Sequence, residues 1–178
     1  MFSCNLVFMK RFFFIVFILS CCLHQLNAQT EADLYTKAQV LKKERKCNEA
    51  LPLMLKALEQ KPNDSKLLSD IGWCFNEIKQ FDKAITHLQK SIQSDSSNTT
   101  AYAEIGYSYY SIKMYSMAIS NLNIANTLQP KTETTLYYLG LCFVRISSKA
   151  DAVKKYNELS LMNSNYAGKL LNEIKAMK

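Results

Sequence analysis

The chain is 178 residues long, the length of a single domain or slightly more. Hydrophobic residues make up 48% and charged ones 21%, with only 4 Gly and 3 Pro, which excludes low-complexity disorder and collagen-like repetition. The formal net charge of +7 favours acidic partners but is too diffuse to mark a nucleic-acid surface.

Residues 1–28 hold six of the nine Phe and three of the six Cys, a composition that never returns downstream. Met9-Lys10-Arg11, the apolar run from Phe12 to Leu23, and Leu26-Asn27-Ala28 give the basic, apolar and small-residue regions of a secretory signal, with cleavage expected after Ala28. The apolar run is shorter than the roughly 20 residues that span a bilayer as a helix, so a permanent anchor is the weaker reading. Because the basic pair follows Met9 directly, translation from Met9 rather than Met1 is an alternative. Ile18-Leu19-Ser20-Cys21 offers a competing route, since it resembles a bacterial lipobox in which Cys21 is lipidated and becomes the new terminus. The expected location is therefore outside the cytoplasm, periplasmic or secreted. Membrane contact would be transient during export and lasting only if Cys21 carries lipid. Cys47, Cys74 and Cys142 follow the signal, odd in number and without the short spacings of a zinc or redox site. Export permits a disulfide, but helical periodicity favours buried free thiols at Cys74 and Cys142.

Beyond the signal, Gly72, Gly106 and Gly140 stand 34 residues apart. Fixing the register on them gives units 31–64, 65–98, 99–132 and 133–166. Ala50, Ala84, Ala118 and Ala152 then share one position, and Leu34, Leu68, Tyr102 and Leu136 another. Each unit reads as two helices, for example Leu68, Ile71, Gly72, Phe75 and Ile78 on the first and Ala84, Ile85, Leu88 and Ile92 on the second. Asn48, Asp82 and Ser116 recur where the second helix should begin and are expected to cap it, with Ser148 or Asp151 substituting in the fourth unit. Pro62-Asn63-Asp64, Ser96-Ser97-Asn98 and Pro130-Lys131-Thr132 close the first three units. Residues 167–178 carry Leu170, Leu171, Ile174 and Met177 at helical spacing and are expected to cap the stack.

The third unit resembles the tetratricopeptide repeat through Tyr102, Ile105, Gly106, Tyr109, Ala118, Leu122, Ala125 and Pro130. The second and fourth follow the same pattern, while the first is degenerate, with Lys37 and Ala38 in place of the Leu-Gly pair. The resemblance implies an all-α, right-handed superhelical solenoid of antiparallel helix pairs. Its physical basis is general: small residues let helices approach closely, and a lone pair of helices buries too little surface, so units must stack.

The catalytic inventory is thin. His87 is the only histidine after the signal, the carboxylates Asp70, Glu77 and Glu104 read as a solvated helix face, and no metal-ligand cluster or phosphate loop is evident. A non-enzyme without cofactor or metal is expected. The cluster Lys37, Lys42, Lys43, Arg45 and Lys46 reads mainly as a solvated face. The resemblance implies a ligand groove lined by the first helices, and helical spacing then selects Tyr35, Gln39 and Lys42; Ser69, Trp73 and Asn76; Ala103, Tyr107 and Tyr110; and Tyr137, Leu141 and Val144. Trp73 and Tyr107 occupy equivalent positions where the family usually carries a polar residue. A carboxylate clamp is lacking, because its places hold Ser69, Trp73, Glu104, Thr134 and Tyr138. These features point to a protein-binding module or adaptor that holds an extended protein or peptide partner by aromatic and apolar contacts, with no nucleic-acid role. Glycan stacking and a self-associating structural subunit of an envelope assembly are the alternatives, and the oligomeric state stays open.

Overall fold

The computed structural model describes residues 33–177. The secretory segment 1–28, the alternative start at Met9 and the lipidation candidate Cys21 lie outside the described residues. Among the described residues the chain forms nine helices and no strand. They are α1 (33–43), α2 (Cys47–Gln60), α3 (Ser65–Glu77), α4 (Phe81–Ser94), α5 (Thr99–Ser111), α6 (Tyr115–Leu128), α7 (Glu133–Arg145), α8 (Lys149–Leu161) and α9 (Asn165–Lys175).

Local sequence explains where α3, α5 and α9 start, whereas Thr132 ahead of α7 makes no side-chain cap bond. The Asp64 side chain accepts from the Leu67 amide at 2.9 Å, and Asn98 accepts from the Ala101 amide at 3.1 Å, so α3 and α5 open on side-chain caps that satisfy free amides. Ser164 does the same for Tyr166 at 3.2 Å, which starts α9 at Asn165, two residues ahead of the expected cap at 167.

The even-numbered helices start differently from the expectation. Asn48, Asp82 and Ser116 are not caps: they are the second residues of α2, α4 and α6, whose cap positions are Lys46, Gln80 and Met114 with no side-chain cap bond. Ser148 occupies the cap position of α8, but its hydroxyl donates to Asp151 at 2.6 Å rather than accepting from a backbone amide. The backbone performs the turn instead. Arg45, Lys79, Lys113 and Ser147 adopt positive φ of 58, 61, 66 and 63°. The next amides then reach back to the preceding helix, Lys46 to Leu41 and Ser148 to Phe143 at 2.9 Å, Gln80 to Phe75 and Met114 to Tyr109 at 2.8 Å. This left-handed C-terminal motif recurs every 34 residues and satisfies helix-end carbonyls without any side chain.

Consecutive helices pack antiparallel, and α3, α5, α7 and α9 also touch their odd-numbered neighbours, which makes an inner layer. The outer layer is α2, α4, α6 and α8. Ala50, Ala84, Ala118 and Ala152 are fully buried where the layers meet. A Cβ on Gly72 would stand 2.4 Å from Leu88 Cγ, and one on Gly106 2.4 Å from Leu122 Cγ, so both glycines let paired helices close up. Gly140 differs. Its added Cβ would meet Leu170 of α9 at 2.3 Å, because the place of Leu88 and Leu122 is taken by Tyr156 on α8, which is only half-buried. Leu170 and Ile174 of α9 complete the core of this end together with Leu136 and Leu159. Two polar contacts hold α9 on α7: Ser164 donates to Glu133 at 2.6 Å, and Arg145 pairs with Glu173 at 3.0 Å.

Candidate functional site

The inner face begins with a polar lock. Tyr35, Gln39 and Lys42 on α1 converge on Asp70 of α3: the Tyr35 hydroxyl donates at 2.6 Å, and the Gln39 amide and Lys42 ammonium donate to the same carboxylate. Lys42 Nζ also stands 5.1 Å from the centre of the Trp73 ring. Burial, reinforced by the Asp70 carboxylate, holds the Tyr35 phenol well above the ordinary tyrosine range. Asp70, expected on a solvated face, is only 7% exposed, because neighbouring inner helices bring side chains about 30 positions apart into one cluster. Lys42 likewise leaves the solvated basic face assigned to it.

Two further stripe residues are internal. Ser69 is buried and donates to its own helix at the Lys66 carbonyl, 2.9 Å away. Asn76, 2% exposed, bridges α3 and α5: its amide donates to Glu104 Oε2 at 2.8 Å and to the Glu104 carbonyl at 3.1 Å, while its oxygen accepts from the Ser108 hydroxyl at 2.7 Å.

The second half of the face is aromatic. Tyr107 meets Tyr138 edge-on at 5.1 Å between centroids and Phe81 at 6.2 Å. Tyr138 also touches Tyr110 at 5.5 Å and Tyr137 at 5.6 Å, and Tyr137 stacks on Tyr166 of α9 at 4.7 Å. Burial raises the phenols of Tyr110, Tyr137 and Tyr138 above their ordinary value. Leu141 and Val144 are buried rather than lining the groove, since they share a core cluster with Leu170 and Ile174 of α9.

Between the halves lies an open cleft of about 390 Å³, lined by Trp73, Glu77, Ala103, Glu104, Tyr107, Leu122, Thr134, Thr135, Tyr138 and Tyr166, with Arg45 at its edge. Glu104, also expected on a solvated face, is half-buried, and desolvation lifts its carboxyl above the usual carboxylate value despite the Asn76 hydrogen bond. Glu77 pairs loosely with the exposed Arg45 at 3.4 Å. The stripe of candidate residues thus contributes Trp73, Ala103 and Tyr107 to the cleft, but it misses Glu77, Glu104, Thr135, Tyr138 and Tyr166. One signal was available: Asp70, Glu104 and Tyr138 are spaced by the 34-residue period, so two adjacent units carry a carboxylate at one position of the inner face.

Other reactive groups have bland surroundings. His87 Nδ1 lies 2.9 Å from the Lys83 carbonyl, and its ring packs 5.2 Å from Phe75. Cys47, Cys74 and Cys142 are free and buried; burial raises all three thiols, that of Cys142 up to about 12. Among the described residues no group of His, Cys, Asp and Glu could hold a metal ion, and no helix is long and apolar enough to cross a membrane.

Comparison with known proteins agrees with this fold. The family model of the tetratricopeptide repeat matches residues 68–97, which run through most of α3 and all of α4. No curated protein matches the sequence. Among solved structures, a thermophilic tetratricopeptide-repeat protein of Thermus thermophilus superposes with a TM-score of 0.70 at 16% identity, covering 81% of this chain and 80% of its own. The crystal structure of MamA gives 0.65 at 20% identity, over 77% of this chain and 91% of that one. The first tetratricopeptide-repeat domain of Spaghetti (RPAP3), bound to the HSP90 peptide SRMEEVD, gives 0.59 at 22% identity, over 63% and 90%. The chain carries a tetratricopeptide repeat and has the all-α superhelical solenoid fold of tetratricopeptide-repeat proteins.

Proposed function

We propose that this chain is a non-enzymatic protein-interaction module of four tetratricopeptide repeats, 31–64, 65–98, 99–132 and 133–166, closed by a C-terminal helix, and that it holds an extended peptide segment in the cleft of its inner face. The observation that carries the reading is the cleft itself, where Trp73, Tyr107 and Tyr138 offer ring surface beside hydrogen-bonding groups. Large aromatic side chains in a concave, half-desolvated setting supply contact area at low entropic cost and dominate binding energy in such interfaces. The peptide-bound Spaghetti domain lends support by sharing the fold. The module acts without cofactor or nucleic acid, outside the cytoplasm, after a signal at 1–28 has directed export. The composition of that segment supports the export reading, and the mass of the mature chain tests it: a terminus at Gln29 is expected, whereas diacylglycerol on Cys21 would make the protein a lipoprotein.

Trp73 is the only tryptophan, so its emission reports occupancy of the cleft. Random dodecapeptides selected on the immobilised chain should shift that emission on titration. A Trp73→Ala, Tyr107→Ala double variant, which has no tryptophan and is read by capture of the peptides on the immobilised chain, should lose the selected peptides while keeping its helical circular dichroism. Undiminished binding by the double variant would move the site elsewhere.

A further inference from the structure

The cleft combines features that select the charge of its ligand. Glu104 points a half-buried carboxylate toward it, one oxygen accepts from Asn76, and among the described residues no lysine or arginine lies within ion-pair distance. Lys42, a nearby cation, is committed to Asp70 and to the Trp73 ring. Glu77 adds a second carboxylate, ion-paired among the described residues with Arg45 alone, whose side chain is 72% exposed. The rings of Trp73, Tyr107 and Tyr138 line the same walls and present faces that attract cations. An independent sign comes from α7: Thr135 lines the cleft at 2% exposure, and its hydroxyl has no hydrogen-bond partner among the described residues. A buried hydroxyl left unpaired is costly, and a donor carried in by a ligand would satisfy it.

We infer that the cleft receives the charged end of a lysine or arginine side chain from the bound peptide, with Glu104 as its counter-ion, Glu77 as a second attraction at the mouth, and Trp73, Tyr107 and Tyr138 around the aliphatic stem. The inference rests on the peptide-groove reading and names its ligand class. The net positive charge of the whole chain points the other way, toward acidic partners, but that charge is spread over the exterior. Inside a cleft with low-dielectric walls the local carboxylates set the field. An acidic segment would place like charges against Glu77 and Glu104 and is excluded by repulsion. The raised carboxyl of Glu104 agrees with an anion that is desolvated and lacks its cation. The groups facing it are Lys42 and Arg45 from the α1 end, Asn76 and Glu77 from α3, and Thr135 and Tyr138 from α7.

The test uses the purified full chain and acetylated, amidated twelve-residue peptides of Ala, Ser and Gly that differ only at a central Lys, Arg, norleucine or Glu, read by Trp73 emission. Lys and Arg peptides should bind, and the norleucine and Glu peptides should bind at least about tenfold more weakly. Glu104→Gln keeps an acceptor for Asn76 and should fold, yet it should lose roughly 30-fold in affinity for the Lys and Arg peptides, the scale expected when one member of a desolvated charge pair is removed. Binding by the wild-type chain should also weaken as acid protonates Glu104, whereas binding by Glu104→Gln should not follow that step. Equal affinity for Lys and norleucine peptides, or an unchanged affinity in Glu104→Gln, overturns the charge assignment while leaving the groove reading intact. If neither these peptides nor any library-selected sequence perturbs Trp73, the groove reading itself fails.

Discussion

The two halves of the inner face use the same repeat positions for opposite ends. In the first half, polar side chains at these positions turn toward each other: Tyr35, Gln39 and Lys42 saturate Asp70, and Asn76 ties α3 to α5. In the second half the corresponding places hold Tyr107, Tyr110 and Tyr137, whose rings each meet Tyr138, and Tyr107 and Tyr138 leave ring surface in the cleft. A carboxylate surrounded by donors has no capacity left for a ligand, whereas aromatic rings in edge contact keep theirs. The first half therefore fixes the spacing of the inner helices, and the second supplies contact area.

That division is broken most severely at the far end. Leu170 is fully buried and fills the space above Gly140, so Leu170→Ala should cost about 2–5 kcal/mol and loosen α9, with Tyr137 losing its stacked partner Tyr166. Thermal unfolding measures the loss. At the near end, Asp70→Ala leaves Lys42 and Tyr35 without their shared acceptor. Because Lys42 retains a path to water, the expected cost is about 3 kcal/mol, at the lower end for a broken buried pair. The same variant should lower the Tyr35 phenol only part of the way toward the ordinary tyrosine range, readable as tyrosinate absorbance in an alkaline titration, because burial, the larger cause, remains while the carboxylate neighbour is gone.

Glycine substitutions sharpen the contrast between packed and open surfaces. Gly106→Ala would press a methyl group against Leu122 and should destabilise by roughly 1–3 kcal/mol. Gly168→Ala, inside α9 with nothing within 4 Å of the new carbon, should stabilise by up to about 1 kcal/mol through helix propensity alone. Paired melting curves of the two variants distinguish a close crossing from a free helix surface.

How much of this was legible in the sequence follows from which interactions are periodic. Glycines and alanines at 34-residue intervals announce the helix pairs because close approach tolerates only small side chains at those points. The turns before Asn48, Asp82 and Ser116 are not legible, since a left-handed residue such as Lys79 or Lys113 carries no compositional mark, whereas the polar residues beside it have the composition of caps. The groove was half legible. Helical spacing finds a stripe, but whether Asn76 faces solvent or Glu104 depends on how adjacent inner helices are rotated, and a single helix pattern does not contain that angle. Leu141 and Val144 were misplaced for a related reason: α9 covers the part of α7 that earlier inner helices leave open.

The smallest expected effect isolates Glu104. Its folded carboxyl is raised by burial, so the native state holds a proton more tightly than the unfolded chain. The stabilisation from that proton is fully present below the unfolded carboxyl pKa and is lost as pH rises through the higher folded value. Glu104→Gln, which mimics the protonated form and keeps an acceptor for Asn76, should match the wild-type chain in stability under acid conditions and equal or exceed it at neutral pH, as measured by denaturant unfolding across that range. A wild-type chain that gains stability over Glu104→Gln as pH rises would mean that Glu104 is satisfied within the fold. The contrast between the locked and the open half of the inner face would then disappear at the residue where it is most specific.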